Sequence, residues 1–68
     1  MAAYILHTPA SPNRLLQARS LSELAELIEC ALHAGDRIDW LGAIDVHERR
    51  AWALQRSELH QLLLLLGD

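Results

Sequence analysis

Cys30 and His33 stand three residues apart, a spacing that on a helix turns both side chains to one side and lets them chelate a metal ion. Structural zinc needs four ligands, and no second pair of Cys or His with ligand spacing follows. His47-Glu48 opens like the H-E-x-x-H motif of zinc peptidases, but Ala51 occupies the second histidine position. His7 and His60 belong to no motif. Cys30 therefore reads as a small core residue and the histidines as solvated, so neither a metal nor a cofactor is expected.

Nucleophilic and acid/base chemistry has no constellation to work with. The chain lacks a glycine-rich phosphate loop and a nucleophile-elbow pattern. Glu23, Glu26 and Glu29 recur every third residue, as an acidic face in water does. The expectation is a protein that is not an enzyme.

Nucleic-acid binding has one feature in its favour. Arg49, Arg50 and Arg56 share a helical polar face with Ser57 and His60, and such a stripe can meet phosphates. The net charge of −3 opposes it. A helix-turn-helix aligned on Gly35 would turn Asp36 and Asp39 toward the polyanion. A small dimeric nucleic-acid-binding regulator is kept as the alternative reading.

The elements that would carry these residues read as helices. Ser20 and Glu23 are spaced as a capping box, and Leu21, Leu24, Leu27, Ile28, Ala31 and Leu32 follow at helical intervals. Two continuations are open. Gly35 can end the helix in the left-handed conformation, or the helix can run on, continuous or kinked, to about Leu41, since Ile38 keeps the phase. The second is preferred. Asp45 and Glu48 repeat the capping-box spacing, so a second helix is expected from Asp45 to Leu66, with Gly67 as its C-cap.

The fold class that follows is all-α: a helical hairpin of two main helices, the first open to a break near Gly35, forming one small domain over residues 1–68. Residues 1–11 are expected to be an extended or flexible tail. Ala3–Leu6 can be extended, but it has no evident strand partner, and Pro9 and Pro12 stop it. Ser11 and Pro12 suit an N-cap and first helical position, starting a brief turn through Arg14, Leu15 and Leu16. No internal repeat is visible.

On a helical wheel Ala51, Trp52, Leu54, Leu59, Leu62, Leu63, Leu65 and Leu66 spread over about half the circumference, wider than one neighbour can cover. A domain of 68 residues is also marginal on its own, and a single cysteine excludes an intrachain disulfide. Both points predict a homodimer, two hairpins forming a four-helix bundle. The expected dimer or partner interface is Trp52, Gln55, Leu59, Leu62, Leu63 and Leu66, with Gln55 a lone polar group that fixes register. Arg37 and Trp40 are the expected partner anchor.

The functional expectation is a small interaction protein that binds another protein and regulates, inhibits or helps assemble it. The N-terminus lacks a basic leader, and Leu62–Leu66 is far shorter than a membrane span. A cytoplasmic protein with no membrane contact is expected.

Overall fold

Residues 40–45 and 50–53 decide the architecture, because their side chains alternate between two faces instead of following a helical stripe. In a computed structural model that describes residues 2–10 and 13–67, the chain runs β1 (Ala2–His7), β2 (Leu15–Ala18), α1 (Leu21–His33), β3 (Trp40–Asp45), β4 (Arg50–Ala53) and α2 (Arg56–Leu66). The four strands form one antiparallel sheet in the order β2-β1-β3-β4. This is an α+β fold, and it overturns the all-α helical hairpin and the four-helix bundle built from it. The order ββα occurs twice along the chain, a repeat of elements without a visible repeat of sequence.

The predicted tail supplies the centre of the sheet. β1 pairs with β2 on one side, Leu6 opposite Leu16, and with β3 on the other, Leu6 opposite Leu41. The extended stretch thus finds its second partner more than thirty residues away. Leu15 and Leu16, expected in a helical turn, belong to β2; the proposed cap at Ser11 and Pro12 lies outside the described residues.

Side-chain alternation sorts the sheet into two faces. Tyr4, Leu6, Leu16, Ala18, Leu41, Ala43 and Trp52 turn toward the helices and join a core with Leu24, Ala25, Ile28, Leu54 and Leu62. Alanine is a weak strand former. Here Ala18 and Ala43 are 1% exposed, and with Ala25 of α1 they let the helix layer come close to the sheet.

α1 begins as its sequence predicts. Ser20 Oγ accepts the Glu23 amide at 3.1 Å, and Glu23 Oε2 accepts the Arg19 amide at 3.2 Å. Its end corrects the preferred continuation to Leu41. Gly35 sits at φ +81°, Asp36 N donates to Ala31 O at 2.9 Å, and Gly35 N donates to Leu32 O at 3.0 Å. That pair of bonds is a Schellman stop, which occupies the last free carbonyls and turns the chain.

Asp45 does not cap a long second helix. It ends β3 and its Oδ1 accepts the amides of His47 at 3.0 Å and Glu48 at 3.3 Å, folding the turn to β4. The spacing that resembles a capping box serves a hairpin, because a side-chain acceptor reaches the amides two and three residues ahead in either setting. Arg49 completes the turn at φ 54°, a left-handed conformation that non-glycine residues adopt at a cost of about 1 kcal/mol. The second helix starts only at Arg56, where the Gln55 amide donates to Glu58 Oε1 at 3.1 Å. No helix among the described residues is long and apolar enough to cross a membrane.

Candidate functional site

Two apolar surfaces remain once the core is formed. The first is on α2. Leu62 is buried and Leu66 half-buried, but Leu59, Leu63, Leu64 and Leu65 stay exposed, Leu63 and Leu64 at 65% and 66%. The apolar arc predicted to be too wide for one neighbour is split: one edge enters the core beside α1 and the rest faces outward. A groove of about 630 Å³ runs from Leu64 and Leu65 to Leu21 at the start of α1. Tyr4 and Gln61 line it as well, with Arg19, Ser20 and Ser22 at its polar side.

Tyr4 comes from β1 and its hydroxyl donates to Glu58 of α2, so the central strand and the second helix are joined below the groove. Burial, then the negative charge of Glu58, then this hydrogen bond hold the Tyr4 phenol above its ordinary value near 10.

The second surface is the face of the sheet turned away from the helices. Its central strands present Ala3, Ile5 and His7 from β1 and Trp40, Gly42 and Ile44 from β3. The Trp40 indole lies across Gly42, and a methyl group at position 42 would overlap the ring. Ile5, in register with Gly42, is 3% exposed although no helix covers that face. At the same end His7 Nδ1 meets Asp39 Oδ1 at 2.6 Å, and Asp39 N donates to His7 O at 3.1 Å, tying the loop after α1 to β1.

The residues predicted to form one interface are distributed among elements. Trp52 is half-buried on β4 and packs against the core, Leu62 is in the core, and Leu59 and Leu63 face solvent. Gln55 is not inside an apolar seam; it is the exposed N-cap of α2. The expected anchor is divided: Arg37 is exposed in the loop after α1, whereas Trp40 opens β3 on the helix-free face.

The three arginines assigned to one helical face also come from three places. Arg49 is in the β3–β4 turn, Arg50 opens β4 and Arg56 opens α2. Arg50 Nη1 lies 3.6 Å from Glu48 Oε2, so an acid interrupts the basic group. Arg50 shares a shallow pocket of about 490 Å³ with Glu48, Glu58 and Trp52, a mixed-charge lining.

Cys30 is an exposed free thiol rather than a core residue. Among the described residues no three His, Cys, Asp or Glu side chains are grouped as metal ligands. Sequence reasoning missed the sheet face altogether, because β1 and β3 become neighbours only through long-range pairing. The one signal was Trp40 two residues before a glycine, with uncharged residues through Ile44. No family model, curated protein or solved structure matches the chain.

Proposed function

We propose that this protein is a small non-enzymatic interaction module that binds another protein and modulates it, using the outward leucines of α2. The observation that carries this reading is the exposure of Leu59, Leu63, Leu64 and Leu65 beside a groove continuous with Leu21. Exposed leucines scattered over a surface need no explanation. These are consecutive or one turn apart on one helix, and they adjoin a concavity that can receive a partner's apolar side chains. The polar groups of Arg19, Ser20, Ser22 and Gln61 would orient the partner at the rim.

The acidic residues Glu23, Glu26 and Glu29 of α1 are exposed and would govern partner choice and encounter rate more than affinity. A lone free cysteine suits a reducing compartment, and this supports a cytoplasmic setting for the module. The test is retention of a discrete protein from native lysate on the immobilised chain. Leu63→Glu with Leu64→Glu should abolish retention while the thermal melting curve stays unchanged. Equal retention by the wild type and the folded variant would refute the reading.

A further inference from the structure

The two outer strands of the sheet, β2 and β4, each have a strand neighbour on one side only. The outward amides and carbonyls of such a strand can pair with another chain, and charged residues within the strand are a common protection. β4 has that protection: Arg50 opens it beside Glu48, directly after the left-handed Arg49. β2 lacks it. Leu15-Leu16-Gln17-Ala18 contains neither a charge nor a proline, and α1 lies across the faces of β1 and β2. Among the described residues no loop or helix cap bonds to the backbone of β2.

We propose that the outer edge of β2 accepts an extended segment of another protein as a fifth strand. The segment carries an acidic residue at each end of a short, largely uncharged stretch. The proposal does not rest on the leucine surface of α2; Arg19 is the one residue that borders both.

Charge identifies the occupant. Arg14 and Arg19 bracket β2, both exposed and neither in an ion pair with an acid among the described residues. The Glu23 carboxylate accepts the Arg19 amide, so it holds the backbone there and leaves the guanidinium without an acid. At about 3.4 Å per residue the two arginines stand about 17 Å apart along the edge. An added strand of about six residues spans the same length. Its end residues fall beside the two arginines whichever way it runs.

The same charges oppose a second copy. Pairing β2 with itself antiparallel, about a twofold axis between Leu16 and Gln17, would set each Arg14 opposite the Arg19 of the other copy. Like charges directly opposite destabilise a strand pair.

The side chains of β2 fit an uncharged middle for the segment. Leu15 is 54% exposed on the helix-free face, and Leu16 is half-buried on the helix side. Apolar or β-branched residues on the added strand would cover both as cross-strand neighbours. Main-chain hydrogen bonds would supply affinity, and the alternating side chains with their acidic ends would supply selectivity.

The probe is a synthetic six-residue peptide, blocked at both termini, with glutamate at each end and alternating valine and threonine between. Added at up to millimolar concentration to the isotope-labelled full chain, it should shift amide resonances centred on Leu15–Ala18. Alternate amides there should also exchange more slowly with solvent. N-methylation of alternate peptide residues should abolish binding in one register and leave it unchanged in the other, since only one edge of the peptide faces β2. Arg14→Glu with Arg19→Glu should weaken binding about tenfold, two exposed attractions becoming repulsions. That variant should instead prefer a peptide with lysine at each end, which also shows that it folds. Arg14→Glu alone, with about a threefold loss, serves if the double variant does not fold. Leu63→Glu with Leu64→Glu should leave peptide binding unchanged, so failure of the α2 reading is told apart from failure of this one. Absence of binding at millimolar peptide overturns the proposal, as do equal effects of the two N-methylation patterns. Shifts centred on β4 or α2 overturn it too.

Discussion

The first half of the chain, β1–β2–α1, and the second, β3–β4–α2, run through the same order of elements, yet they use their helices differently. α1 buries Leu24, Ala25, Ile28 and Ala31, which lie on one side of a helix that crosses β1 and β2. α2 carries more leucine but buries Leu62 alone. It packs against α1 and leaves most of its apolar side chains outward. Position on the helix, not leucine content, decides what a helix gives the core. Most of the apolar excess expected to form a dimer or partner interface is surface in the folded chain.

The contrast is broken most strongly at Leu24. Leu24→Ala removes a fully buried side chain and should destabilise the protein by about 3 kcal/mol, read from the urea midpoint. Next comes the cap that starts α1: Ser20→Ala should cost about 1 kcal/mol by deleting the acceptor for the Glu23 amide.

Tyr4 sharpens the comparison, because it joins the first strand to the second helix. Its phenol is held above its ordinary value, so this contribution is fully present below pH about 10. It is lost as pH rises through the folded-state value, where the native phenol also ionises. Tyr4→Phe should flatten the alkaline fall in melting temperature and leave neutral pH little changed by ionisation. An alkaline limb identical in both proteins would remove Tyr4 from the account. The smallest effect is expected at Leu64, 66% exposed: Leu64→Ala should change stability by no more than about 0.5 kcal/mol. A loss comparable to that of Leu24→Ala would mean that α2 buries this leucine after all.

The capped beginning of α1 was legible because its signal is local: Ser20, Glu23 and the apolar spacing lie within a few turns of one another. The Gly35 stop was one of two open continuations, and local phase favoured the other. Ile38 kept the helical interval, but it joins the core from a loop. The strands were illegible for physical reasons. β4 has only four residues, Arg50–Ala53, too few for period two to stand out against a helical stripe. Alanine and leucine favour helix, and pairing across the sheet overrides that preference at Ala18, Ala43 and Ala53.

The same limit shaped the reading of the surfaces. Surplus apolar character on the last helix was visible, and exposed leucines are where it resides. Trp40 and Gly42 form a feature only when β3 is extended, because the ring reaches the residue two places on along one sheet face.

The central place of β1 also sets an order of events at the ribosome. During synthesis Ala2–His7 emerges with β2 as its sole partner strand, and an isolated two-stranded hairpin is marginal in water. Its other edge waits until α1 and the loop through Asp39 have been made and Trp40–Asp45 follows. Until then Ile5 and Leu6 belong to an unfinished nascent chain, with the apolar exposure that chaperones recognise. A delay before Trp40–Asp45 leaves the exit tunnel would prolong that exposure, and only its emergence lets β3 close on β1.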